Sequence, residues 1–353
     1  MYTKSSIGLG TYPYVNARVR VMKSTMIQRD EYQKLIKMSP DEITKFIGET
    51  AYKKEIDELA MKFNGVDLIE AALNLNASRS FNKLIKISSK EVRTLIEEYL
   101  GQYDVYNLKT ILRGKFCGKA SDEIKRLLIP AGHLDMDALD ALVKMETIKE
   151  VLAASKILKM DKKTMDAIDE YEKTKSLMDI ENIIDKGYYN SLMELSLKIP
   201  KNGKYIRNFI KTEIDILNIR LLFRLIREKM QKKDIREKLV FSGEKLKRDK
   251  LLKLADSKDI DELYSGLSGT GYDKVIADCM DDVKKNEFGC LEIVLEKHYL
   301  KKAYLMMHQN PLSVGPIIGY MVGKDIEIRN LKMLARAKVV GLDEKFMNDS
   351  LVI

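Results

Sequence analysis

Long alternations of apolar and polar residues, the mark of half-buried strands, are absent from this chain, which reads as helical throughout. The clearest amphipathic pattern is a decapeptide of the form D/E-x-x-N-[LI]-[KR]-x-[IL]-x-R. It occurs as Asp104 to Arg113, Asp215 to Arg224 and Glu327 to Arg336. On a helix, Asp104, Asn107, Leu108 and Ile111 fall within about 100° of one another, and Lys109 and Arg113 take the opposite side. Each copy therefore predicts a helix with a packing face, carrying one carboxylate and one amide, and a basic face behind it. Polar caps mark other helix starts. Ser39-Pro40-Asp41-Glu42 offers an N-cap, a first-turn proline and first-turn acids. Ser88-Ser89-Lys90-Glu91 reads as a capping box. Ser121-Asp122-Glu123 and Asp135-Met136-Asp137 are further starts, and a helix is entered over Tyr12 to Arg20. Residues 5–10 read as an ordered tail or loop, Pro200 to Gly203 as a turn, and Asn310-Pro311 with Pro316 as a break.

The copies are evenly spaced. Their asparagines stand at Asn107, Asn218 and Asn330, so the two intervals agree to within a single position. Seventeen residues past each arginine a short apolar string ends, and the third string, Leu351-Val352-Ile353, closes the sequence. Gly48 and Tyr52 also find counterparts in Gly269 and Tyr272. The repetition predicts an N-terminal extension (1–19) and three helical units, 20–130, 131–241 and 242–353. A period this long is unlike that of ordinary solenoids, whose units are roughly 20–50 residues.

Six prolines and no tryptophan, with 33% charged and 45% hydrophobic residues, suit a globular helical protein. The net charge of +9 allows nucleic acid, an anionic membrane surface or an acidic protein as partner. Much of it lies between Arg227 and Lys253, with eleven basic and five acidic residues. That segment is either a solvated helical surface or a contact for an acidic surface or lipid head groups. The most membrane-like run, Val314 to Val322, is about half the length needed to span a bilayer, so the chain is expected to be soluble by itself. Cys117, Cys279 and Cys290 read as reduced thiols.

Signals for catalysis are weak. Gly114 to Ser121 resembles a phosphate loop but has one residue too few between its glycines and Ala120 where Ser or Thr is needed. Gly266 to Gly271 reads as a helix–helix turn. His133, His298 and His308 have no metal-ligand spacing. No catalytic residue, cofactor or metal is expected. The motif acids and amides (Asp104, Asn107, Asp215, Asn218, Glu327, Asn330) are candidates for structural hydrogen bonds to a neighbouring helix end. The basic residues (Lys109, Arg113, Arg220, Arg224, Lys332, Arg336) either sit at helix junctions, face a shared axis and grip something there, or are plain surface charge.

Laid out this way, the chain resembles the C subunit of archaeal and bacterial A/V-type rotary ATPases, the counterpart of the vacuolar d subunit. The resemblance rests on Tyr12 to Arg20, Asn107 to Lys115 and Glu327 to Lys332, and covers essentially the whole chain. It implies an all-α fold of three similar bundles about a pseudo-threefold axis, funnel-like. It also implies a non-catalytic central-stalk role that couples the rotating shaft to the membrane proteolipid ring for proton or sodium transport. The protein would then be a monomer within a hetero-oligomeric complex, peripheral at the cytoplasmic face of the cell membrane, with possible anionic lipid contact and no nucleic acid. The competing readings are a basic helical scaffold for nucleic acid or an acidic protein, and an enzyme with an unrecognised site.

Overall fold

A computed structural model describes residues 12–199 and 203–353. The stretch 5–10 and the turn residues 200–202 lie outside them. Among the described residues all regular structure is helical. In chain order the helices are α1 (Pro13–Ser24), α2 (Arg29–Leu35), α3 (Pro40–Ile47), α4 (Lys53–Leu59), α5 (Gly65–Ile87), α6 (Lys90–Phe116) and α7 (Ser121–Leu127). There follow α8 (Met136–Lys144), α9 (Ile148–Ser155), α10 (Lys162–Thr174), α11 (Met178–Lys198), α12 (Gly203–Arg227), α13 (Lys232–Lys238) and α14 (Arg248–Ala255). The last are α15 (Ile260–Gly266), α16 (Tyr272–Ile276), α17 (Met280–Lys284), α18 (Gly289–Gln309), α19 (Gly315–Val340) and α20 (Glu344–Ser350).

The element order repeats with the motif. A pair of long helices followed by one of seven residues occurs as α5–α6–α7, α11–α12–α13 and α18–α19–α20. The second long helix of each trio carries the decapeptide. By compactness the chain forms two units. One comprises Met1–Leu195 with Glu327–Leu342, the other Ser196–Ile326 with Asp343–Ile353. Compactness and sequence repetition are different partitions, because the α19 copy of the motif belongs to the first unit while its own repeat begins in the second.

Local chemistry sets the helix limits. At α3 the Glu42 backbone N–H donates to Ser39 Oγ (3.3 Å) and the Ser39 N–H to the Glu42 carboxylate (2.8 Å), with Pro40 inside the first turn. Asp135 caps α8 through the Ala138 N–H (2.9 Å). The start expected at Ser88 falls one residue later. Ser89 is the N-cap of α6, and Ser88 Oγ donates instead to the Leu84 carbonyl (2.7 Å), closing the last turn of α5. Two adjacent serines can each take either role, and the carbonyl of α5 claims the first. Proline ends α18 as expected: that helix stops at Gln309, and α19 begins at Gly315 with Pro316 in its first turn.

The motif helices are buried on more than one side. In the first unit Leu108, Ile111 and Leu112 of α6 share one core with Leu139 and Val143 of α8, Val151 and Leu152 of α9, and Ile180 and Ile184 of α11. The apolar face of the first motif thus packs against helices of the following repeat. Burying a Leu or Ile side chain contributes about 1.5–3 kcal/mol, so this shared core is a major link between consecutive repeats.

Candidate functional site

In the first two motifs the asparagine grips backbone one segment further along the chain. Asn107 Nδ2 donates to the Ile129 carbonyl (2.7 Å), and the Ile129 N–H donates to Asn107 Oδ1 (2.8 Å). Asn218 repeats this with Val240, at 2.8 and 2.9 Å. Both amides are fully buried. A primary amide holds a donor and an acceptor side by side, so it can mimic a strand partner for one residue of the apolar string. Asn330 is likewise buried.

The carboxylates cap the next repeat. Asp104 accepts the backbone N–H groups of His133 (2.8 Å) and Leu134 (3.0 Å) and lies 3.0 Å from His133 Nδ1. Asp215 accepts those of Glu244 (3.1 Å), Lys245 (2.7 Å) and Leu246 (3.1 Å), and the Tyr272 hydroxyl (3.3 Å). Glu327 accepts the Ile27 N–H (2.6 Å) and the Tyr52 hydroxyl. Tyr52 and Tyr272, paired by sequence, thus donate to equivalent carboxylates. Close approach of the backbone demands glycine at two equivalent positions. A Cβ on Gly132 would lie 2.2 Å from Asp104 Oδ1, and one on Gly243 1.9 Å from Asp215 Oδ1.

The Asp104 carboxylate raises the pKa of His133 above its ordinary value, against the opposing effect of burial. Burial pushes the Asp215 carboxyl up to about 6, against the pull of the Lys245 and Leu246 N–H groups and the Tyr272 hydroxyl. Burial and the Asp215 charge together push Tyr272 up.

The basic side of the motif meets a second repeated pattern that the sequence reading did not find. Lys109 Nζ bonds both oxygens of Asp185 at 2.6 Å, and Arg113 forks onto Glu181 at 2.6 and 2.7 Å. Arg220 pairs with Glu292 (2.6 Å) and Glu296 (3.4 Å). Lys332 Nζ donates to Asn74 Oδ1, and Arg336 forks onto Glu70, with Nη2 at 2.9 Å. The acceptors themselves recur. Glu70, Glu181 and Glu292 are evenly spaced at the interval that separates the motifs, as are Asn74, Asp185 and Glu296. These two positions, four apart on the first long helix of each trio, face the basic pair of the preceding motif, and the third motif faces the first helix. The signal was present in the spacing. A single glutamate on an ordinary helix surface attracts no notice until the repeat interval is applied to it.

Among the six basic positions, Arg224 differs. Arg113, Arg224 and Arg336 are all exposed, but the glutamate equivalent to the partner of Arg113 is taken by Arg220. Glu181 and Glu70 raise the pKa of Arg113 and Arg336 respectively, against the opposing effect of burial.

Other candidates resolve into structure. Gly114 lies inside α6, where a Cβ would meet Ile124 at 2.6 Å, so the phosphate-loop look-alike is a helix end followed by a turn at Gly118. Gly266 to Gly271 is a turn with Gly269 and Gly271 at positive φ. His298 lies edge-on to Tyr272, with its pKa lowered by burial and by Lys302 and Lys301. Among the described residues no group of three or more His, Cys, Asp or Glu is placed to hold a metal. The expectation of three reduced thiols is corrected. Cys279 and Cys290 form a disulfide with Cα atoms 5.5 Å apart, and Cys117 is free and exposed. The short helical turns at 277–284 fold back on the start of α18, which brings two cysteines eleven residues apart within bonding reach. Among the described residues no helix is long and apolar enough to cross a membrane.

Known proteins match the sequence along nearly the whole chain. Residues 15–350 match the family described as ATP synthase (C/AC39) subunit. A protein of Methanococcoides burtonii, named as the C subunit of A-type ATP synthase, is 38% identical over 99% of this chain and 96% of its own length. Proteins of the same name from Methanosarcina acetivorans and Haloferax volcanii are 36% and 31% identical, each over 99% of this chain and over 95% and 99% of their own lengths. With the match spanning nearly every residue, the chain belongs to the ATP synthase C/AC39 subunit family.

Proposed function

We propose that this protein is a non-catalytic central-stalk subunit of an A/V-type rotary ATP synthase, coupling the rotating shaft to the membrane proteolipid ring for proton or sodium transport. The proposal includes three helical bundles, 20–130, 131–241 and 242–353, about a pseudo-threefold axis, and a peripheral position at the cytoplasmic face of the membrane. One observation carries it. Each motif helix holds backbone and polar side chains of the next repeat, and the third holds those of the first, through Glu327 with Ile27, Lys332 with Asn74 and Arg336 with Glu70. Contacts from each motif to another repeat suit a part that transmits torque. Load applied to one bundle passes to the next through buried amide and carboxylate anchors, which tolerate little displacement.

The proposed pseudo-threefold axis is the natural place for a shaft. Co-purification from detergent-solubilised native membranes tests the reading. Recovery together with catalytic ATPase subunits and proteolipid is expected. Recovery only as a free monomer, under conditions that keep the rest of the complex together, refutes it.

A further inference from the structure

The decapeptides are alike, but the segments that follow them are not. From Arg227 to Lys253 the chain holds eleven basic and five acidic residues, whereas the equivalent stretch of the first repeat, 116–142, holds three basic and five acidic. The two stretches build corresponding parts of the fold, the end of a motif helix, a seven-residue helix and the helix after it. Folding therefore does not require the charge, and the second repeat carries it for another reason.

In the structure this segment is one corner, with α13 packed between the end of α12 and α14. Arg227, Lys229, Lys232, Lys233, Lys247 and Arg248 are all exposed, and none of them pairs with a carboxylate among the described residues. Two are held in place by aromatic rings: the Arg227 guanidinium lies 4.6 Å from the Phe288 ring centroid and that of Arg248 4.6 Å from Phe241. No large hydrophobic side chain is exposed between residues 227 and 253.

We propose that this corner is a docking surface for anionic lipid head groups. Protein interfaces are depleted in lysine and centre on buried aromatic or aliphatic anchors. This surface is lysine-rich and has no exposed apolar anchor. A layer of mobile phosphates needs neither geometry nor apolar complementarity, only a cluster of four to eight cations beside a membrane. The same absence of exposed rings removes the stacking platform that single-stranded nucleic acid uses. The inference deepens the coupling reading by naming what one corner of the subunit meets.

The test is flotation of the full chain with vesicles of phosphatidylcholine alone and of phosphatidylcholine mixed with phosphatidylglycerol. Binding is expected only to the mixed vesicles and is expected to weaken as salt rises. The variant Lys232→Gln/Lys233→Gln/Lys247→Gln/Arg248→Gln should bind about fivefold more weakly per charge removed, on the order of several hundredfold in all. A control neutralising Lys54, Lys62, Lys83 and Lys86, exposed lysines elsewhere, should keep most of the binding. Unchanged circular dichroism and melting temperature certify that both variants fold. Equal losses in the two variants would reduce the effect to net charge and overturn the proposal. So would an absence of vesicle binding, or tighter binding to an oligonucleotide than to the mixed vesicles. Membrane co-purification with the other subunits does not depend on this corner alone, so its outcome separates failure of this inference from failure of the coupling role.

Discussion

Asp215 lies in an environment far from that of an ordinary carboxylate. It is fully buried, accepts three backbone N–H groups and one phenol, and has its pKa pushed up to about 6 by burial. A carboxyl raised above its unfolded value, near 3.8, favours the protonated form in the native state. Its stabilising contribution is complete below about pH 4 and is lost as pH rises through about 6. Two pKa units correspond to about 2–3 kcal/mol. Asp215→Asn keeps the shape but cannot titrate. Urea unfolding at several pH values between 4 and 7 should therefore show the wild type losing stability relative to the variant by that amount as pH rises. Parallel curves for the two proteins would refute the assignment. The amide also turns a donor toward the N–H groups of 244–246, so the variant is expected to be the less stable of the two at every pH. The sequence placed Asp215 on a packing face and assigned it a neighbouring helix end. It did not identify that end, nor that Gly243 leaves room for the carboxylate, because both depend on where the chain returns after α13.

At the scale of elements, the repeat is a relation between helices. The basic side of α6, α12 and α19 meets α11, α18 and α5 respectively. The Arg336–Glu70 pair is the most direct probe, since it joins residues 266 positions apart. Arginine is 56% and glutamate 14% exposed in this pair, and a forked but partly solvated pair contributes about 1 kcal/mol. A double-mutant cycle with Arg336→Ala and Glu70→Ala should give a coupling energy of that size in thermal or urea unfolding, falling with salt. Additive effects would mean that the pair does not form. Helix limits were legible where a single residue type had one role, as at Ser39 and Asp135, and slipped at Ser88-Ser89, where two caps compete. The acidic partners were present in sequence and unread, because one glutamate per helix has no pattern within its own neighbourhood.

For the whole molecule, Arg224 separates folding from function. Arg113 and Arg336 are engaged by carboxylates, so reversing either charge disturbs the fold as well as any partner contact. Arg224 is exposed and free of such a pair among the described residues, so Arg224→Glu should leave the melting temperature within about 2 °C of wild type, as surface substitutions do. If the three arginines line a socket for the shaft, the same variant should still lower recovery of the shaft subunits in pull-down by several-fold. Wild-type recovery would exclude Arg224 from the shaft contact. The disulfide between Cys279 and Cys290 is a reminder that an odd count of cysteines says nothing about which two meet.

The sequence by itself determined helix content, the positions of the three motif helices, their packing and basic faces, and the family. These follow from local periodicity, from cap chemistry and from an interval that recurs along the chain. Only the tertiary structure decided what each face touches: for the first two motifs the apolar backbone string beyond the end of the motif helix and acidic partners on a long helix of the following repeat, and for the third motif the first repeat itself. A side chain's partner is set by where distant segments return in space, and no local pattern encodes that.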